Sequence, residues 1–425
     1  MGAERGPVTL ALLGAGNRGA DAYGEYVLGH PGEFRFTAVA EPRRDRRDSF
    51  AARHGIPPEM TFASWEDLLS RPRLAEGLIV ATQDRMHYDP VMAALAQGYG
   101  VLLEKPMAPT AAECVAMAGA AARAGRLLMI CHVLRYTPFF AAIKKLLDEG
   151  RIGRVVSIQH NENVGYWHMA HSYVRGNWRR RDESNPMILA KSCHDMDILL
   201  WLAGADCARL ASFGSLSFFK RENAPPGAAA RCLDGCRAEP DCPFSARRIY
   251  LGENTGWPVS VISLDTSLAA RTAALREGPY GRCVFACDND VVDHQVAVLE
   301  FTNGATAAFT MCGLTREISR TIKIMGTAGE IAGHMEKGEI VLRVFGGGEE
   351  TVPLAGAAGG HAGGDGGLMR AFAEALREGR PEAALTSAAV SVQSHLMAFA
   401  AEESRLTGRV VEMADFARAN SPASP

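Results

Sequence analysis

Three sets of residues in this 425-residue chain have types and spacings that could do chemistry. The first is Gly14-Ala15-Gly16-Asn17-Arg18-Gly19, which follows the apolar run Val8–Leu13 and precedes a helix-forming stretch. In that context Gly14 permits a tight turn, Gly16 lets backbone approach a diphosphate, and Gly19 allows close helix–strand packing. The amides that open the helix are unpaired and carry positive potential, so Asn17 and Arg18 join the glycines as candidate phosphate ligands. Glu41 ends the next predicted strand, where a carboxylate accepts from ribose hydroxyls. Its charge disfavours a ribose phosphate, so NAD is expected over NADP, although Arg43 and Arg44 stand beside it.

The second set combines a lysine with a histidine. Lys105 follows the predicted strand Val101–Leu103, at the carboxyl end where doubly wound sheets bind ligands. An ammonium there can hydrogen-bond a reacting hydroxyl and stabilise a developing alkoxide. His194 lies in a predicted helix, Pro186–Leu202, and suits proton transfer near neutral pH. Lys191, His194 and Asp197 recur at intervals of three, so one helix would project them to about the same side. Asp195 or Asp197 could orient the imidazole, and Lys191 could supply a second cation. Upstream, Trp167, His168, His171, Trp178 and Arg179 mix aromatic with hydrogen-bonding groups, as a polyhydroxylated substrate would need. Arg179, Arg180 and Lys191 hint at an acidic one. His361 and Asp365 lie in a glycine-rich loop, 356–367, that could close over the site.

The third set is Cys232, Cys236 and Cys242, in a Pro- and Cys-rich stretch from Asn223 to Phe244, followed by Cys283 and Cys287. Three thiols in a short, weakly apolar loop fit a closed tetrahedral zinc site, with Cys287 or Cys283 as fourth ligand. An iron–sulfur cluster and plain reduced thiols are the alternatives.

These groups need a scaffold. The first 131 residues alternate short apolar strands with helical segments, the pattern of a Rossmann-type doubly wound parallel sheet. From residue 132 the organisation changes to helices, an insertion at 223–250 and strand-like runs at Gln295–Phe301, Thr306–Cys312, Thr321–Met325 and Ile340–Phe345. Turns such as Asn303-Gly304 favour antiparallel pairing among them. Two helices follow, Leu368–Glu378 and Thr386–Leu406, and the tail after Phe416 is expected to be disordered. The formal net charge of −3 argues against nucleic acid or an anionic membrane as partner. No apolar run reaches bilayer length and no secretory signal opens the chain, so a cytoplasmic, reduced protein is expected.

The glycine turn, Ala81-Thr82-Gln83-Asp84-Arg85-Met86-His87, Glu104-Lys105-Pro106, Arg135-Tyr136-Thr137-Pro138, Gly150-Arg151-Ile152-Gly153 and His194-Asp195-Met196-Asp197 together resemble the Gfo/Idh/MocA family. The resemblance implies an α/β fold: a Rossmann domain, then an α/β domain on an open, mostly antiparallel sheet. It implies that Thr82, Gln83, His87, Glu104 and Lys105 contact the cofactor, that Lys105 and His194 serve catalysis, and that Arg135, Tyr136 and His194 meet the substrate; Lys191 as a catalytic cation, and Trp178 and Arg179 as substrate contacts, are expectations from the residues themselves. It also implies hydride transfer to a sugar or glycoside hydroxyl, in a homodimer or homotetramer. The chain departs from much of the family at Ala190, where an aspartate usually stands. That departure leaves open an NAD-recycling glycosidase, acting by oxidation, elimination, hydration and re-reduction. A non-catalytic dinucleotide sensor is the third reading.

Overall fold

The computed structural model describes residues 6–354, 363–381 and 384–421. Six strands build the first sheet: β1 (Val8–Leu13), β2 (Phe34–Ala40), β3 (Thr61–Phe62), β4 (Gly77–Val80), β5 (Gly100–Leu103) and β6 (Leu128–Ile130). All pair in parallel, in the order β3-β2-β1-β4-β5-β6. Every residue of β4 and β5 is buried, as a sheet covered on both faces requires. The order reverses between β1 and β4, so a crevice opens beyond their carboxyl ends. Thr110 caps the helix Ala111–Ala124 and Gly125, in the left-handed region, ends it.

The second sheet has nine strands: β7 (Val155–Asn163), β8 (Cys207–Ser215), β9 (His294–Phe301), β10 (Thr306–Cys312), β11 (Ser319–Gly326), β12 (Gly329–His334), β13 (Glu339–Val344), β14 (Glu349–Thr351) and β15 (Val411–Glu412). Their order is β14-β13-β12-β11-β7-β10-β9-β8-β15, antiparallel except for β7 with β10. Alternation along β9 and β10 buries Ala297, Leu299, Phe301, Ala307, Phe309 and Met311. Val296 and Val298 point to the exposed face.

Three sequence expectations change. The helix Gly364–Glu378 starts inside the glycine-rich stretch and returns to the first sheet, where Leu368, Met369 and Phe372 share a core with Leu10, Ile79 and Leu102. A Cβ at Gly77 or Gly100 would collide with Phe372 or Leu376 of that helix, which explains both glycines. A division at residue 131 is therefore crossed by the chain. The tail after Phe416 remains helical through Ala419, held by buried Met413 and Phe416. The helix expected over Pro186–Leu202 is two helices, Met187–Ala190 and Cys193–Ala203, broken at Lys191-Ser192.

Candidate active site

The glycine turn opens an eight-residue π-helical segment, Asn17–Gly24. Gly14 has φ +89°, and a Cβ on it would lie 2.6 Å from the Ala81 carbonyl oxygen. On Gly19 it would lie 2.0 Å from the Gly14 oxygen. Both glycines are thus demanded by the protein's own packing. Gly16 is different: a Cβ there meets only Arg46 Nη1, at 3.6 Å, so the space over it is open. This open cradle fits a dinucleotide's diphosphate. The buried Glu41 carboxylate accepts from the Ala15 and Arg43 amides, at 2.9 and 3.0 Å, which fixes it beside the turn. Arg43 and Arg44 are engaged with Asp45 and Asp48. Arg46, three residues past Arg43 and not marked by the sequence pattern, places its guanidinium over Gly16. Asn17 is exposed and donates to Asp21.

Arg18 does not project into open solvent. It binds Glu104 at 2.6 Å and Asp365 at 2.8 Å, and its guanidinium stacks over Tyr23. Asp365 is thereby tied down rather than carried on a lid, and His361 lies outside the described residues. Burial opposes the Glu104 charge, but Arg18, Tyr23 and Lys105 together hold its carboxyl below the ordinary range. His87 is fully buried, with its ring nitrogens 2.8 Å from the Pro106 carbonyl and 3.3 Å from that of Thr82. It therefore pins two strand ends together instead of offering a free nitrogen to a cofactor. The Thr82 hydroxyl donates to the Met86 carbonyl, and Gln83 is exposed at the mouth of the same turn.

Lys105 crosses to the helix break. Its Nζ donates to the Ala190 carbonyl at 2.8 Å. A continuous helix would have used that oxygen for a backbone bond, so the break supplies the acceptor. An ammonium has three donors, and the other two remain for a substrate oxygen. His194 is nearly buried at 6% exposure, in the first turn of the second helix. Its ring stands 5.8 Å from that of His132, which is 5.2 Å from the ring of His395. Burial first, then Arg135 and Lys105, push His132 well below its usual range. His395, held down to about 3 by burial and His132, accepts from the Met107 amide at 3.0 Å. His132 went unassigned in the sequence, although its place just past the carboxyl end of β6 marks it.

The break separates groups that one helix would have aligned. Lys191 turns to Glu162 at 3.1 Å, and burial first lowers it, with Glu162 opposing. Asp195 is held by His160 and Arg320, at 2.8 and 2.9 Å. Asp197 takes two bonds of 2.7 Å from Arg135. Neither aspartate is the partner that orients His194. Arg135 also donates to the Leu385 carbonyl, and the Tyr136 hydroxyl meets that of Thr386. Both side chains thus knit the frame behind the site rather than presenting donors to a substrate.

Trp178 is partly buried and its indole N–H reaches Asp84 at 3.4 Å. Asp84 also accepts from Ser184 and Asn185, at 3.0 and 2.9 Å. This buried carboxylate, within a stretch already singled out, docks the 177–186 segment onto the first domain. Arg179 pairs with Asp288 and Glu183, Arg180 with Asp182, and Arg181 with Asp290. The arginine run and Lys191 are therefore neutralised by the protein's own carboxylates, and the hint of an acidic substrate falls away. Nearby, Tyr166, Trp167, Arg248, Asn254 and Trp257 line a cavity of about 370 Å³. His168 packs edge-on to Trp257; burial and then the Lys191 charge keep it well below its usual range.

Among the described residues, no group of three or more His, Cys, Asp or Glu side chains is arranged to hold a metal ion. The zinc expectation is thus not supported. Cys232, Cys236, Cys242 and Cys283 line one small cavity, whereas the Cys287 sulfur sits 3.2 Å from the Cys283 carbonyl.

With both domains and the lysine–histidine crevice in view, sequence profiles identify the class. Residues 8–132 match the NAD-binding Rossmann fold and residues 144–413 the C-terminal alpha/beta domain of the Gfo/Idh/MocA oxidoreductase family. The chain belongs to that family and is an NAD-binding oxidoreductase. Its relatives include the oxidoreductase YteT of Bacillus subtilis (strain 168), 24% identical over 64% of this chain and 63% of YteT. They also include the inositol 2-dehydrogenase of Streptomyces avermitilis, 30% identical over 46% of this chain and 53% of that enzyme. The chain thus spans between half and two thirds of the length of these curated relatives. A levoglucosan dehydrogenase structure, in complex with NADH and L-sorbose, shares the fold at TM-score 0.72 and 20% identity, over 96% of this chain and 99% of that one. Among the described residues, no helix is long and apolar enough to cross a membrane.

Proposed function

We propose that this protein oxidises a ring hydroxyl of a sugar, polyol or glycoside, with NAD as the hydride acceptor. The observation that carries the reading is the Lys105 ammonium on the Ala190 carbonyl, four residues before His194, with Lys105 and the open Gly16 cradle each just past the carboxyl end of a strand of the first sheet. Gly14, Gly16, Gly19, Arg46 and Glu41 would hold the dinucleotide, which when bound supplies the hydride-accepting ring. Lys105 hydrogen-bonds the substrate oxygen and stabilises it as its proton leaves. His194 takes that proton, as a general base in reach of the hydroxyl. Buried Glu104 keeps Arg18 and the Lys105 backbone fixed around it. The aromatic cavity at Trp167 and Trp257 suits a sugar's apolar face, with Arg248 and Asn254 for its hydroxyls. The relatives named for inositol and levoglucosan support a polyhydroxylated, uncharged substrate.

The exposed apolar residues Phe213, Val296 and Val298 on the open sheet support a homo-oligomer, which light scattering would check. The functional test is a panel of sugars, inositols and aryl glycosides with NAD, followed at the nicotinamide absorbance. NADH accumulation on at least one compound is expected, with kcat falling on the order of 10²-fold or more in Lys105→Ala. Release of aglycone without NADH would replace this reading with NAD-recycling glycoside cleavage. NAD binding without turnover on any compound would favour a sensor.

A further inference from the structure

The aromatic cavity is built by two segments, the turn that follows β7 and the insertion between β8 and β9. Gly165, at φ +82°, turns the chain out of β7, and a Cβ on it would stand 2.7 Å from Ile318. The Gly165 and Tyr166 amides then donate to the Thr315 hydroxyl and carbonyl, at 3.0 and 2.8 Å, which fixes Tyr166 and Trp167. In the insertion, the Asn254 side chain accepts from the Gly256 amide at 2.9 Å and donates to the Trp257 carbonyl at 3.2 Å. Buried Arg271 holds the Tyr250 and Gly252 carbonyls, at 2.9 Å each. Trp257 is 41% exposed, yet its loop is fastened by these bonds.

The rings of Trp167 and Trp257 meet with centroids 5.3 Å apart and planes at 59°, so they form a corner rather than a slot. Such a corner turns two π faces toward the C–H groups of a pyranose. Arg248 stands at its edge. One of its N–H groups donates to the Pro240 carbonyl, and no carboxylate pairs with it among the described residues, so further donors remain for hydroxyls. The volume of about 370 Å³ lies at the lower end of the range for small-molecule sites, about 300–1,000 Å³. It has room for one sugar ring, not for a chain of them.

Place decides which ring. His168 packs edge-on to Trp257 at 4.9 Å and lies within reach of the Lys191 charge, next to the Ala190 carbonyl that holds Lys105. A layer of side chains thus separates the cavity from the reacting end of the crevice. On its other flank Trp257 meets His171 at 5.7 Å, and His171 stacks on Tyr280 at 4.9 Å. Burial raises the Tyr280 phenol and the charge of Arg46, the arginine over Gly16, opposes that rise. The aromatic wall therefore extends from the cavity toward the cofactor cradle.

We infer that this cavity seats the ring that is not oxidised, and that the substrate is a disaccharide rather than a free monosaccharide or inositol. The assignment of the two rings rests on the oxidation proposed above. The reacting ring lies at Lys105 and His194, its C–H hydride passing to NAD and its hydroxyl proton to His194, while the glycosidic bond stays intact. The second ring stacks in the tryptophan corner and meets Arg248 with its hydroxyls.

The test compares cellobiose, maltose, lactose and gentiobiose with glucose, galactose, myo-inositol and an aryl glucoside, each with NAD and the full chain. At least one disaccharide should exceed its own monosaccharides in kcat/KM by about tenfold or more, the worth of one well-packed contact region. Trp257→Ala should lower that ratio about tenfold, chiefly through KM, and Trp257→Phe, which keeps a ring, should restore most of it. Monosaccharides used as well as disaccharides would overturn the inference. So would a ratio unchanged in Trp257→Ala, because the corner would then hold the reacting ring. An aryl glucoside preferred over every disaccharide would overturn a sugar as the occupant. Calorimetric titration of the same disaccharides in the presence of NADH reads binding without hydride transfer. Saturable binding weakened by Trp257→Ala, with no NADH formed from any sugar, would sink the oxidation reading and support the subsite.

Discussion

Three glycines within six residues face three different surroundings, and alanine at each separates a cofactor's demands from those of the fold. In Gly19→Ala the new Cβ would stand 2.0 Å from the Gly14 carbonyl oxygen, so backbone must shift. Overpacking of this kind costs about 1–3 kcal/mol or more. Gly14→Ala combines a 2.6 Å approach to the Ala81 oxygen with φ +89°, and the left-handed conformation adds about 1–2 kcal/mol. Gly16 has φ −82° and ψ −165°, which alanine adopts, and its nearest neighbour would be Arg46 Nη1 at 3.6 Å. Gly16→Ala should therefore leave stability within about 1 kcal/mol of the parent, or raise it slightly through the unfolded chain. Its methyl group fills the space the diphosphate needs, so NAD affinity should fall at least about tenfold, equivalent to about 1.4 kcal/mol. Urea unfolding without cofactor gives the first quantity and calorimetric titration with NAD the second. The reasoning is refuted if Gly16→Ala binds NAD as tightly as the parent, or unfolds as readily as Gly19→Ala.

Arg46→Ala removes the guanidinium that stands over Gly16; NAD affinity should drop about tenfold, as for a lost charge-assisted bond, with the unfolding midpoint unchanged. Equal affinities for variant and parent would remove Arg46 from the site. Asp84→Ala leaves the Ser184, Asn185 and Trp178 donors without their acceptor; stability should fall by about 2 kcal/mol and KM rise while NAD affinity holds. A KM equal to the parent's would show that the 177–186 segment does not shape the substrate site. His395 is buried neutral with its folded pKa at about 3, below the unfolded value of about 6.5, so the unfolded chain takes up a proton first. The stability it contributes is complete above pH 6.5 and is lost as pH falls from there toward 3. By pH 5 the loss is about 2 kcal/mol. His395→Gln can still accept from Met107 and should flatten that part of the profile; a slope identical to the parent's between pH 7 and 5 would contradict it.

Most of the first sheet was legible because β4, β5 and β6 are buried throughout and so read as unbroken apolar runs bounded by turns, whereas the two-residue, half-buried edge strand β3 left no such run. β8 and β12 were not, and glycine is the reason. Gly214 lies against the His294 carbonyl and Gly333 against the Phe139 ring, where a Cβ would stand 2.5 and 2.7 Å away. The close packing that requires these glycines also erases the β-branched signature of a strand. At the site, the glycine turn and Glu104-Lys105-Pro106 were visible because each acts through consecutive backbone. Charge partners were not visible. Arg135 finds Asp197 across 62 positions and Arg179 finds Asp288 across 109, so cations that look available in sequence are neutralised in space. Helical spacing misled for Lys191, because the period of three to four holds only while the helix continues.

That interruption is also what makes the alanine at position 190 chemically sensible. A carboxylate side chain there would offer Lys105 a charged partner and lock its ammonium into an ion pair. A backbone carbonyl freed by the break offers a neutral acceptor at 2.8 Å, which fixes the direction of Nζ while leaving its charge uncompensated by that contact. The carboxylates around the site are paired with other cations: Glu104 with Arg18, Glu162 with Lys191 and Arg320, and Asp197 with Arg135. Lys105 acts on Glu104 only through space, without a hydrogen bond from its ammonium, so its remaining donors are directed at whatever oxygen enters the crevice and can stabilise an alkoxide forming there.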